Sequence, residues 1–230
     1  MTLTDWFNFP SYLQELEQQG KVSRTFKRLD SARQQAVLNS ILEESAIKGP
    51  ASLNIKEIAR RADVSIGSLY QYFSNREGLL NFAIDLCTRY MTDMFTLSLP
   101  YLKDMPLREA LRSYLSVGLE WGRTENGLVR FYGRAAYLGD PDLAERLVRP
   151  VAEAMRKITY EMLAHAAKRG EIRSDVDLEA ASRLVNGLMI VVGDSQLFPY
   201  LNTYFQISDE QLPPDRITEA LIDFILKGLN

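Results

Sequence analysis

The chain has 230 residues, 46% of them hydrophobic and 25% charged, an ordinary globular composition with length enough for a sizeable core. One cysteine, Cys87, excludes an internal disulfide, and a net charge of -3 gives no general attraction to nucleic acid. The N-terminus through Trp6 lacks a basic and then apolar leader, and the run Leu188 to Val192 is too short to span a bilayer. A cytoplasmic protein without a membrane partner is expected.

Helical periodicity dominates, and no sustained period-two alternation appears. The first segment, 1–29, reads as an extension, aromatic and then basic. Ser11 can cap a short helix through Gln18, ended by Gly20. Between Lys21 and Arg33 lie Lys21, Arg24, Lys27, Arg28 and Arg33, opposed only by Asp30. That local excess suits phosphates, and suits a plain solvated segment about equally.

A helix is predicted from about Asp30 to Lys48, with Leu38, Ile41, Leu42 and Ser45-Ala46 at three- and four-residue steps and Gly49-Pro50 as the stop. Asn54 opens a second helix and forms a capping box with Glu57. That helix ends near Arg61, because a third begins at Ser65. Ser74-Asn75-Arg76-Glu77 opens a fourth, expected to reach about Ser98 before Pro100. Later breaks predict helices near 106–122, 127–138, 141–169, 177–204 and 214–228, with Pro150 as a kink. The fold class is therefore all-α: three compact helices over 30–80, then a helical bundle over 81–230.

Ile58, Ala59 and Ala62 face Val64, Leu69 and Phe73 across a tight turn, and the two alanines allow two short helices to cross closely. The arrangement is a helix-turn-helix. Its second helix should present Ile66, Gly67, Ser68, Gln71 and Tyr72 outward, a surface suited to a major groove.

The stretch Ser65-Ile-Gly-Ser-Leu-Tyr-Gln-Tyr-Phe-Ser-Asn-Arg-Glu-Gly-Leu-Leu80 resembles the recognition-helix signature of the TetR (tetracycline-repressor) family. Gly170-Glu-Ile-Arg-Ser-Asp-Val-Asp177 also resembles family positions. The resemblance implies a ligand-responsive transcriptional regulator, by family habit a repressor, that binds a quasi-palindromic double-stranded DNA operator as a homodimer. Carried over by position, Ile66 and Gly67 approach base edges. Ser68, Tyr70, Gln71, Tyr72 and Arg76 mainly meet phosphates, and Asn54 adds a contact from helix two. Asp63 stands in the turn where the family usually has glycine, a position that Asp tolerates better than most residues.

The resemblance further implies a pocket and a dimer interface in the bundle. Tyr90, Met94, Phe95, Tyr114, Trp121, Phe131, Met155 and Met162 are candidates to line an apolar cavity, although core packing is the better reading for any one of them. Asn186 lies within an apolar run, where burial demands a partner, either a ligand or a neighbouring subunit. Few charged residues share these faces, so an apolar or amphipathic small molecule is expected. Ile217, Leu221, Phe224 and Ile225 form one apolar stripe of the last helix, and Ile222, Leu226 and Leu229 another. With Leu184 and Leu188 the first stripe would build a four-helix dimer interface.

For the extension two readings stand. Either Lys27 and Arg28, with Lys21 and Arg24, form an arm tracking DNA, or Trp6, Phe7, Phe9 and Leu13 dock on the protein body. No cofactor is expected, and the lone His165 has no companions at metal-ligand spacing. No nucleophile–base pairing or phosphate loop appears, so no catalytic residue is named. The alternative kept open is a small-molecule-binding protein or an enzyme on the same scaffold without DNA binding.

Overall fold

The computed structural model describes residues 6, 8–48, 53–124 and 126–230. Among them the chain is helical, with no strand. It divides into two compact units: residues up to Met91 with Thr124–Pro150, and Thr92–Arg123 with Val151–Asn230. This partition differs from the expected segments 1–29, 30–80 and 81–230. The boundary falls inside a long helix, and a stretch from the middle of the chain belongs with the N-terminal part.

In the first unit, α3 (Ser31–Lys48), α4 (Ile55–Arg61) and α5 (Ile66–Phe73) form the expected three-helix set. Each starts where a short polar side chain satisfies an otherwise orphaned amide. Asp30 accepts from the Arg33 amide at 2.9 Å. Asn54 accepts from the amides of Lys56 and Glu57 at 3.1 and 3.4 Å. Ser65 accepts from Ser68 at 2.9 Å. Only half of the expected capping box forms. Glu57 turns its carboxylate to Arg60, and the Asn54 amide donates instead to buried Glu44 of α3, at 3.3 Å. Glu44 also lies 3.2 Å from the Arg61 guanidinium, an ion pair too oblique for a hydrogen bond, which ties α3 to α4. Asp63, at φ +52°, holds the left-handed turn between α4 and α5. The expected stop at Gly49-Pro50 lies outside the described residues.

The N-terminal segment folds onto this unit. Its first helix, α1, is Phe9–Gln18, starting three residues earlier than a Ser11 cap would place it. Ser11 does not cap it; its hydroxyl donates back to the Asn8 carbonyl at 2.9 Å. A four-residue helix, α2 (Arg24–Lys27), follows, capped by Ser23. Trp6, Phe9, Leu13, Leu16 and Phe26 are all buried, which favours docking over a free arm. Phe7 lies outside the described residues.

Further along, α6 (Arg76–Asp104) leaves the first unit at Met91. It runs past Ser98, and Pro100 does not end it. Pro100 and Thr96 are both exposed, so water can serve the Thr96 carbonyl that a proline cannot bond. The first unit is completed by α8 (Asn126–Leu138), which packs on α3, and by α9 (Pro141–Leu143). Arg134 of α8 donates to the carbonyls of Ala46 and Ile47 at 3.1 and 2.9 Å, serving the C-terminal end of α3. Cys87 is sealed in this core, its thiol 3.7 Å from the Met91 sulfur.

In the second unit are α7 (Leu107–Thr124), α10 (Arg149–Lys168), α11 (Leu178–Leu197), α12 (Pro199–Phe205) and α13 (Pro214–Leu229). Their shared core includes Leu111, Ile158, Leu163, Met189, Ile222 and Ile225. The expected helix 141–169 is interrupted by a π-helical stretch, Ala144–Val148, just before Pro150. The expected helix 177–204 breaks at Phe198, where Pro199 forces an extended residue before α12.

Candidate functional site

Within the helix-turn-helix, α4 and α5 meet through Ile58, Ala59, Ala62, Leu69 and Phe73, all buried. The Val64 amide closes the turn on the Ala59 carbonyl at 3.0 Å. The opposite stripe of α5 is open. Ile66 is 38% and Tyr70 44% exposed, and Gly67 and Gln71 are exposed beside them. Ser68 is half-buried, its hydroxyl 2.8 Å from that of Ser65. A Cβ on Gly67 would meet only the Ser65 hydroxyl, at 3.6 Å, so nothing of the protein covers this position.

Tyr72 is a correction. It was expected to point outward, yet it is 7% exposed, with its ring 5.6 Å from that of Phe26. The reason lies in helical spacing: residues 69, 72 and 73 share the inward stripe, while 66, 67, 70 and 71 share the outward one. That signal was present in the sequence. Arg76, the first residue of α6, is exposed.

At the start of α4, Asn54 is exposed, with its carbonyl oxygen committed to capping, so only its amide group remains to donate outward. Sequence reasoning missed the neighbouring Lys56, also exposed. Its position two residues past a capping residue, in the first turn of a helix that opens a helix-turn-helix, was the available signal. Arg60 bonds Glu57, whose carboxyl is held below the usual carboxylate range first by that hydrogen bond. The arm residues separate: Lys27 is tied to Glu17 at 2.6 Å, whereas Arg28 is exposed.

In the second unit, α6 and α7 flank a partly open cavity of about 260 Å³. Four of the expected residues line it, Met94, Phe95, Tyr114 and Trp121, joined by Tyr101, Val117 and Gly118 among others, and no lining side chain is charged. The remaining candidates fall elsewhere. Tyr90 and Phe131 are fully buried in the first unit, Tyr90 stacked edge-on against Trp6 at 5.6 Å. Met162 is packed in the second unit's core, and half-buried Met155 does not reach the cavity. Asn186 is half-buried and accepts from the Thr159 hydroxyl at 3.4 Å, so its partner lies within its own unit. Gly118 also borders the cavity, and a Cβ there would meet nothing within 4 Å. Gly118→Leu should therefore raise helix stability by about 0.5–1 kcal/mol, since glycine is a poor helix former. It should also abolish the fluorescence gain of the neutral apolar dye Nile red on mixing with the protein. Thermal melts and dye titration check both effects.

On the surface formed by α11 and α13, Leu184 and Phe224 are 70% and 67% exposed, and Leu188 is exposed beside them. They border a groove of about 730 Å³. Leu221 and Ile225 were expected in the same interface but are buried in the unit's own core, and Ile217 packs partly against it. The inward stripe of α13 is 221, 222, 225 and 229, which leaves Phe224 alone on the outer side.

A helix-turn-helix unit with an open outward stripe, together with a helical unit holding an apolar cavity, defines a class of DNA-binding regulators. A family model described as bacterial regulatory proteins, tetR family, matches residues 37–82, and one described as tetracyclin repressor-like, C-terminal domain, matches residues 106–192. Together they cover more than half of the chain, and the chain belongs to the TetR family of transcriptional regulators. No curated protein matches it in sequence. Among solved structures it is similar in fold to the fatty acid degradation regulator FadR of Bacillus halodurans (17% identity, 85% of this chain and 98% of that one, TM-score 0.63). FadR of Bacillus subtilis in complex with stearoyl-CoA is similar at 18% identity over 85% and 98% of the two chains, TM-score 0.61. The MbdR regulator of Azoarcus sp. CIB is similar at 19% identity over 86% and 99%, TM-score 0.63.

Proposed function

We propose that this regulator acts as a homodimeric repressor, laying α5 of each protomer in the major groove of a quasi-palindromic operator. The observation that carries this reading is the open stripe Ile66, Gly67, Tyr70 and Gln71, with no side chain above Gly67. Ile66 offers apolar contact, for example to a thymine methyl, and the bare Gly67 backbone admits a base edge closely. Tyr70, Gln71, Ser68, Asn54, Lys56 and Arg76 then serve phosphates, which fix register rather than sequence. Exposed Leu184, Leu188 and Phe224 support dimerisation, which would set the two α5 helices about one duplex turn, ~34 Å, apart.

The effector would be a small molecule with an apolar buried portion, because no charged side chain lines the cavity. An amphipathic molecule fits that demand, and the Bacillus subtilis fold neighbour was solved with one, stearoyl-CoA. Coupling would run along α6, which opens with Arg76 just after α5 and carries Met94 and Phe95 of the cavity. A ligand shifts the regulator only if it prefers one arrangement of α6 over another.

Selecting duplexes from a random-sequence pool with the unmodified protein tests the reading. The selected site should be two-fold symmetric. Gly67→Phe should weaken binding to it at least tenfold, with the melting temperature within a few degrees of the parent because the position is open. Equal affinity of parent and variant would rule out α5 as the reading element.

A further inference from the structure

We infer that the N-terminal segment, Trp6 with Phe9–Leu29, is a positioning element for DNA recognition that clamps the C-terminal end of α5. The inference rests on the DNA-binding reading above. At eight residues α5 is too short to hold its own conformation or direction, so contacts from outside it must do so. Its last carbonyls also need partners. The Ser74 amide serves Tyr70 and the Asn75 amide serves Phe73, both local. The Tyr72 carbonyl is served from far away in sequence, by the Ser23 amide at 2.9 Å.

Around that bond the segment is anchored on three helices. Phe26, fully buried, sets its ring 5.6 and 5.1 Å from those of Tyr72 and Phe73 and 5.7 Å from Phe82 of α6. The carbonyls of Phe26 and Lys27 both accept from the buried amide of Gln34 on α3, at 3.2 Å. Lys21 pairs with Asp85 of α6 at 2.6 Å, and Trp6 packs on Tyr90 further along that helix. The inward side of α5 is thus held by aromatic rings and one backbone bond, while its outward stripe stays free. Loosening the clamp widens the directions α5 samples, and DNA must then restrict them at a cost in affinity. No phosphate contact is lost in the process. The salt dependence of binding should therefore stay as it was, because its slope counts phosphates neutralised.

Ser23→Pro removes the amide donor at a residue whose φ of -84° a proline nearly matches. Ser23→Ala keeps the donor and loses only the hydroxyl cap that the proline variant also lacks, so the difference between the two isolates the bond to Tyr72. The probe is a duplex selected by the unmodified protein, with affinity measured well below the melting temperature across a salt series. Ser23→Ala should bind within about threefold of the parent. Ser23→Pro should bind about tenfold more weakly than Ser23→Ala with the same salt slope, and residues 66–75 should exchange amide hydrogens faster. If Ser23→Pro does not fold, Phe26→Leu, which keeps apolar volume but loses the ring contacts, should show the same loss at constant slope. Equal affinities, or a reduced salt slope, would overturn the clamp, the latter by showing a phosphate-binding arm. If the unmodified protein selects no duplex, the DNA reading fails and this inference with it.

Discussion

Gly78→Ala should lower the melting temperature by on the order of 10 °C and weaken binding to a selected duplex at least tenfold. A Cβ on Gly78 would collide with the Phe73 carbonyl oxygen and stand 3.4 Å from its carbon. The nearest obstacle is backbone, so no rotamer change relieves it. Phe73 is the last residue of α5 and Gly78 lies in the first turn of α6, so relief requires moving one helix end against the other. The Asn75 cap, which accepts from the Gly78 amide at 2.7 Å, would be strained by the same movement. Overpacking of this kind costs about 3 kcal/mol, the top of the usual range. Calorimetry and duplex titration of the variant provide the check. A variant that melts and binds like the parent would show that the turn between α5 and α6 yields more readily than its geometry implies.

Glu44→Ala should be comparably damaging to stability. Glu44 is buried between α3 and α4, with one carboxylate oxygen accepting from the Asn54 amide and the other 3.2 Å from the Arg61 guanidinium. Removing it leaves the helix-start amide without its acceptor and strips Arg61 of its buried partner, leaving it only Glu57, 3.3 Å away. Such a loss costs about 3 kcal/mol, at the lower end of the range for broken buried pairs because Arg61 keeps Glu57 and some solvent contact. Adding Arg61→Met to Glu44→Ala should recover part of the loss, because the charge that lost its buried partner goes with it. Denaturant melts of both variants test this; a double variant less stable than Glu44→Ala alone would refute that account.

The parts of the fold legible in the sequence were those governed by local chemistry. Asn54 and Ser65 open α4 and α5 where short polar side chains were expected to, and Asp63 takes the left-handed turn. The small residues Ala59 and Ala62 lie at the helix crossing. Tyr72 turns inward although its residue type suits a phosphate contact, because the three-residue step from Leu69 puts both on one face. The aromatic candidates for the cavity divided for a different reason. Met94, Phe95, Tyr114 and Trp121 line it, but Tyr90 and Phe131 belong to another core. Amphipathic spacing shows that a residue is turned inward and does not show which distant segment meets it. That depends on packing such as α8 on α3, fixed by Arg134 on the Ala46 and Ile47 carbonyls, which no local pattern announces. Likewise, Leu221 and Phe224 shared one apolar stripe in the sequence, and only the packed unit separates the core residue from the exposed one.

The lone cysteine has a practical consequence. Cys87 is wholly enclosed, and that enclosure pushes its thiol well above the ordinary range, so thiolate is scarce and reagents have no route to it. The native protein should therefore be silent toward maleimides. A cysteine introduced at Gln71 would carry a dye or spin label at that one position without first removing a natural thiol. In the proposed dimer, distances between such labels would then report on the separation of the two α5 helices, with and without a candidate effector.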